Sequence, residues 1–250
     1  MNNKKQLVVA ILAAGRGTRM KSDLPKVLHE VGGKPMLVHV IDLADRIGAD
    51  RIISIIGHRR ELVQEAIKNT RSEFVIQDPQ LGTAHAVDQT RELVESLDGD
   101  MLVLSGDVPL LRQDTIESLI KEHYEKNAGA TLLTSIFEDA TGYGRIIRNS
   151  DGTLNRIVEH KDCNEDELKV QEINSGIYIF NINELMRAIK KVDNNNKQGE
   201  YYLPDTLPFI QREGFPVALV VSRDQNEIQG VNTVEQLNEI NRIFGYTHDQ

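Results

Sequence analysis

The segment "LAAGRGTRM", Leu12–Met20, sets two glycines, two arginines and a threonine directly behind the apolar run "LVVAIL", and Pro25-Lys26 follows shortly after. Glycines let backbone N–H groups approach phosphate oxygens closely, and Arg19 and Lys26 can reach the same oxygens. Pro25 fixes the backbone before Lys26 and limits how that lysine wanders. The stretch is not the dinucleotide fingerprint G-x-G-x-x-G, because Met20 stands where a third glycine or alanine belongs. No Gly-Lys-Ser/Thr follows, so it is not a Walker A loop either. Arg16, Arg19, Lys21 and Lys26 nevertheless reverse the local sign in a chain of net charge −9. Glycines beside such cations point to an anion site.

Asp107 in "SGDVPLL" follows the apolar run "MLVLS" directly. With Gly106 allowing close approach, it suits a Mg²⁺ ligand for a nucleotide, or else a turn or helix-cap aspartate. Asn232 in "GVNT" offers a second, neutral oxygen; read alone, it is the residue before the final helix. Gly82-Thr83 in "QLGTAH" stands at a helix N-terminus, a natural polar contact. Gly144 in "TGYGRIIR", Glu159 and Lys161 in "IVEHKD", and Asn174 in "EINSG" put a carboxylate and an amide on neighbouring strands. Sugar hydroxyls need such groups, and surface strands carry them as well. The seven histidines have no metal spacing, and the single cysteine, Cys163, sits in an acidic loop.

These residues need a scaffold, and the first half supplies one by alternating strand and helix. "QLVVAIL", "RIISIIG", "EFVIQ" and "MLVLSGD" read as strands. "PMLVHVIDLADRI" reads as a helix with Met36, Leu37, Val40, Ile41, Ala44 and Ile47 on one face; "ELVQEAIK" groups Leu62, Val63, Ala66 and Ile67. "TAHAVDQTRELVESL", with Thr83 as its cap, and "DTIESLIKEHYEK" complete the set. The pattern predicts a Rossmann-like α/β fold, a mainly parallel mixed sheet with helices on both faces. "LAAGRGTRM", "QDPQLGT" and "SGDVPLL" then share the rim beyond the strands' carboxyl ends, where such sheets bind ligands. The second half, "ATLLTSI", "GRIIRN", "LNRIVEH" and "EINSGIYIF", predicts a smaller, partly antiparallel lobe. Helices near 183–192 and 200–213, the strand "PVALVV" and the helix "TVEQLNEINRIF" follow. The expected division is a nucleotide-binding lobe over about 1–126, a sugar-binding lobe over about 127–232, and a helix and tail over 233–250.

At 250 residues, 40% hydrophobic and 27% charged, the chain reads as one globular domain with a sizeable core. No apolar stretch approaches the roughly 20 residues of a membrane span. The acidic balance argues against nucleic acid, which is bound by neutralising phosphates. One cysteine and no signal segment point to the cytoplasm.

Taken in order, "LAAGRGTRMKSDLPKVLH", "QLGTAHAV", "SGDVPLL", "GYGRIIR", "IVEHKD", "EINSGIY", "GEYYLPD" and "GVN" resemble the nucleotidyltransferases that make nucleotide sugars. Within them, the resemblance is to the uridylyltransferase half of the bacterial bifunctional N-acetylglucosamine-1-phosphate uridyltransferase/glucosamine-1-phosphate acetyltransferases. It implies a Mg²⁺-dependent enzyme taking UTP and N-acetylglucosamine 1-phosphate to UDP-N-acetylglucosamine, a cell-wall precursor. It implies that Leu12, Ala13, Ala14, Gly15, Gln77, Gly82 and Thr83 surround the uracil and ribose, with Ser105 and Gly106 beside them. Ser105 departs from a position that is often tyrosine in the family. Arg19 and Lys26 are implied to hold the triphosphate, Gly144, Glu159 and Asn174 the sugar, and Asp107 with Asn232 the metal. The family's bifunctional enzymes continue into a β-helix of hexapeptide repeats for acetyl transfer. No such repeats stand in these 250 residues, so acetyl transfer is not expected of them.

Overall fold

The computed structural model describes residues 5–248. Its chain begins with β1 (Gln6–Ala13), whose residues Val8 to Ile11 are wholly buried, as a strand covered on both faces requires. The hairpin β2 (Glu30–Val31) and β3 (Lys34–Pro35) follows, then α1 (Met36–Arg46), β4 (Arg51–Ile56), α2 (Arg60–Ile67) and β5 (Glu73–Ile76). Next come α3 (Thr83–Asp88), α4 (Arg91–Val94), β6 (Gly99–Ser105) and α5 (Gln113–Glu125). The second half supplies β7 (Ala130–Ile136), β8 (Arg145–Arg148), β9 (Leu154–Val158), β10 (Glu172–Asn181), α6 (Ile182–Ile189), α7 (Leu207–Arg212), β11 (Val217–Val221) and α8 (Val234–His248).

The strands run in the order β11-β7-β10-β6-β1-β4-β5, with β8 and β9 attached beside β10. β6, β1, β4 and β5 are mutually parallel, and β10 lies antiparallel between β6 and β7. This is the expected mixed α/β sheet. The antiparallel lobe is present and continuous with the parallel part, because β10 belongs to both. Leu12 stands opposite Ser105 on one side and Ile55 on the other, so β1, β4 and β6 end on one rim. Val40, Val63 and Leu119, from α1, α2 and α5, pack one face of the sheet; Val87, Leu185 and Leu207, from α3, α6 and α7, pack the other. A third, small core joins Met20, Val31, Met36, Val231 and Ile240. No described helix is long and apolar enough to cross a membrane.

Three local expectations need correction. Leu62 is 43% exposed, and α2 buries only Val63 and Ile67 fully, because the helix covers the sheet's margin rather than its centre. The single helix expected over 83–97 divides into α3 and α4, where Thr90 Oγ1 donates to Val87 O at 2.7 Å and the backbone bends away. Thr83 does not cap α3 either. Gly82 occupies the cap position, and Thr83 Oγ1 instead accepts from Leu203 N at 2.9 Å.

Candidate active site

The rim formed by β1, β4 and β6 opens into a cavity of about 540 Å³. Leu12, Ala13, Ala14, Gly15, Gln77, Gly82, Thr83 and Ser105 line it, with Lys26 and Asp107 at its charged side. Gly106 does not line it; its N–H donates to Leu12 O at 3.0 Å, so this residue closes the floor. Gln77 is almost wholly buried, and its amide donates to Gly82 O at 2.9 Å. That bond ties the end of β5 to the turn before α3. At Gly82, φ is +111°, and a Cβ there would come within 2.5 Å of Tyr201 O. Only glycine fits, because Ala84 N donates to Tyr201 O (2.9 Å) while Tyr201 N donates to Leu81 O (2.8 Å), drawing the two segments together.

The cations meet partners that lie far from them in the sequence. Lys26 Nζ donates to Asp107 Oδ2 and, at 3.0 Å, to Asn232 Oδ1; Arg19 donates to the same Asn232 oxygen at 2.8 Å. Backbone fixes the arrangement, since Val231 N donates to Asp107 O at 3.0 Å. Loop cations from the first half thus meet an amide from the last helix's entrance.

A second cavity, of about 190 Å³, abuts the first and shares Leu12, Thr83 and Ser105 with it. Gly144, Glu159 and Asn174 line it together with Tyr143, Tyr178 and Leu203. Asn174 N donates to Gly144 O at 2.9 Å, which joins β10 to the start of β8. The Asn174 Oδ1 accepts from Tyr178 OH (2.8 Å) and Gly176 N (3.1 Å), so its NH₂ is what the amide presents to a ligand. Burial raises the Glu159 carboxyl to about 7, helped by the negative charge of Asp205, Asp162 and Glu200. Asp205 is likewise pushed up to about 6 by burial first, then by Asp193 and Asp162.

The residues picked out by type and spacing fall in or beside one cleft, save Lys161, whose ammonium donates to Gln198 Oε1 at 2.8 Å on the exposed surface, and Lys21, which is exposed and lines neither cavity. Sequence reasoning missed Tyr143, Gln80, Glu200 and Leu203, which also line the cavities. "GYGR" and "GEYYLPD" carried a signal for two of them, Tyr143 and Glu200, an aromatic and an acid beside glycine, but no spacing rule connects them to the rim.

A nucleotidyl transferase family model matches residues 8–228, which takes in both cavities and all but Asn232 of the charged group. The chain belongs to the nucleotidyl transferase family. Among its relatives, the bifunctional protein GlmU of Bacillus cereus (strain G9842) is 49% identical over 222 residues, 89% of this chain and 48% of the relative. Those of Bacillus thuringiensis (strain Al Hakam) and Bacillus anthracis (strain CDC 684 / NRRL 3495) match to the same extent. The chain spans about half the length of these relatives. Nucleotidyl transferases of this kind work with a divalent metal, and the donor set here fits one. Asp107 Oδ2 and Asn232 Oδ1 both face a single cationic nitrogen, Lys26 Nζ, so the fold already holds positive charge between one ionised and one neutral oxygen. Hard divalent cations take oxygen ligands of this type. Among the described residues no group of three or more His, Cys, Asp or Glu side chains could hold a metal. A metal here would complete its shell from substrate and water.

Proposed function

We propose that this chain transfers UMP from UTP to N-acetyl-α-D-glucosamine 1-phosphate, forming UDP-N-acetylglucosamine and releasing pyrophosphate. The observation that carries this reading is the pair of abutting cavities with Lys26, Arg19, Asp107 and Asn232 beside them. The larger takes a nucleoside and the smaller a sugar, and their shared wall at Leu12, Thr83 and Ser105 is where two phosphates must meet. The resemblance carried by "IVEHKD" and "EINSGIY", together with the family match, supports a sugar 1-phosphate as the acceptor.

A phosphate oxygen of the sugar phosphate attacks the α-phosphorus of UTP in line; the bond from that phosphorus to the bridging oxygen breaks, and pyrophosphate leaves. The attacking phosphate is ionised at neutral pH, so no side chain need remove a proton. The protein's part is positioning and charge neutralisation. Arg19 and Lys26 offset the charge that gathers on the departing pyrophosphate. Asn174 offers its NH₂ to the sugar, with Glu159 beside it, while Gln77 and Gly82 hold the loop against the nucleoside. Asp107 and Asn232 would hold Mg²⁺, which would supply further charge neutralisation for the reacting phosphates.

Purified protein with Mg²⁺, each of four nucleoside triphosphates and several sugar 1-phosphates tests the reading by pyrophosphate release. UTP with N-acetylglucosamine 1-phosphate is expected to give the highest kcat/KM, because an acetamido-shaped site leaves polar groups unpaired with glucose 1-phosphate. Equal turnover of glucose 1-phosphate would overturn the sugar assignment.

A further inference from the structure

The residue that completes the charged group, Asn232, enters the site from the start of α8, yet the cations it meets come from the loop before β2. Something must hold α8 in register with that loop. Gly32 N donates to Asn241 Oδ1 at 3.0 Å, and Asn241 Nδ2 donates to Glu30 O at 3.1 Å. One side chain on α8 thereby grips the β2–β3 hairpin through both a donor and an acceptor. Packing reinforces the grip. A Cβ on Gly32, where φ is +57°, would come within 2.1 Å of the Phe244 ring, so glycine alone lets the helix lie this close. The small core beneath contains Met20, next to Arg19, and Val231, next to Asn232.

At the entrance of α8 the Asn232 backbone is also held. Its N–H donates to Gln236 Oε1 at 2.7 Å, an oxygen that also accepts from Thr233 N at 3.2 Å while Gln236 N donates back to Thr233 Oγ1 at 3.2 Å, a reciprocal capping pair of Thr233 with Gln236. The Asn232 side chain therefore rides on a rigid helix, and the placement of that helix is set further along, at the hairpin.

The structure assigns Asn241 the role of a positioning residue: through the β2–β3 hairpin it fixes the distance between Asn232 and the Lys26–Arg19 cations. It touches no substrate and acts through Asn232 alone. The hairpin follows the Lys26 turn directly, since Leu28 N donates to Pro25 O and His29 N to Lys26 O before the strand begins. A shift of α8 against the hairpin thus becomes a shift of the Asn232 oxygen against the Lys26 ammonium. This assignment rests on the nucleotidyl-transfer reading above for its kinetic consequences but not for its structural ones.

Asn241→Ala is expected to lower kcat by about 10- to 100-fold, the scale of loss when a reacting group is misplaced by a fraction of an ångström to an ångström, with KM for the sugar phosphate unchanged. In an Asn232→Ala background the same substitution should have no further effect, because the group it positions is gone. A residue that merely stabilises the fold would lower both backgrounds alike. Two measurements stand apart from turnover. Amide exchange at Gly32 should quicken in Asn241→Ala, and calorimetric affinity for UTP with Mg²⁺ should fall. Undiminished kcat in Asn241→Ala, independent losses in the double variant, or unchanged Gly32 exchange would each overturn the assignment. Inactivity of the parent on every sugar phosphate would instead count against the reaction, leaving exchange and calorimetry to judge the clamp.

Discussion

Lys26 has two jobs for one nitrogen: it pairs with the Asp107 carboxylate and donates to the Asn232 amide oxygen, and in the reaction proposed above it also faces the phosphates. Its replacement by alanine, like that of Arg19, should cost on the order of 10²–10³ in kcat, the usual loss when an electrostatic stabiliser is removed. Asp107→Asn should lose more than Asn232→Ala, because it removes formal charge as well as an oxygen ligand. Turnover over a Mg²⁺ titration checks the order, and wild-type activity in Asp107→Asn would refute the metal assignment. Glu159 and Asp205 make a separate prediction. Their folded pKa values, about 7 and about 6, lie above the ordinary 4.5 and 3.8, so folding favours their protonated forms. The stability these two groups contribute is complete below their unfolded pKa values and is lost as pH rises to about 7. Thermal melts at pH 5 and pH 8 should therefore differ less for Glu159→Gln than for the parent, and an equal difference would refute the raised carboxyl. These residue types were flagged by the sequence: glycines with cations behind a strand point to an anion site, and an aspartate at a strand's end to a cation ligand or a turn. What no pattern carried was the convergence of Asn232 on Lys26, because spacing says nothing across so long a loop.

At the scale of elements, the strands and most helices follow from periodicity, since burial on both faces leaves apolar runs and burial on one leaves stripes. The misread pieces are those where backbone from elsewhere overrides local preference. Thr83 has the right identity for a cap, but the segment around Tyr201 takes its hydroxyl and its neighbour's amide. Gly82 is the point of closest approach, which gives a sharp test. Gly82→Ala must push against Tyr201 backbone and adopt φ +111°, for which strain of about 1–3 kcal/mol is typical. KM should rise for UTP through the displaced Gln77 and for the sugar phosphate through Leu203, measured in separate titrations. A rise confined to UTP would mean that the two loops move independently.

For the molecule as a whole, β10 is the strand on which everything closes. It pairs with β6 on one edge and β7 on the other, and it brings Asn174 to the site. A fragment spanning 1–126 would leave the buried residues Met101, Leu102 and Val103 on an open edge. Such a fragment should aggregate or melt without cooperativity, as sedimentation and circular dichroism can tell; a stable monomer would show that the nucleotide lobe folds alone. The same strand has a different consequence for how sugar preference is inherited. The chain leaves β7 after Ile136 and enters β10 at Glu172, and these two residues are register partners, with Phe137 N donating to Gln171 O at 3.0 Å to close the neck. Everything between, including Gly144, Glu159 and the strand pair β8–β9, is an insert whose ends already touch. Such an insert can be exchanged between homologues as a cassette if the β8–β10 pairing of Arg145 with Ile173 is kept, so recombination at its neck would retune the proposed sugar site while the rim of β1, β4 and β6 stays in place.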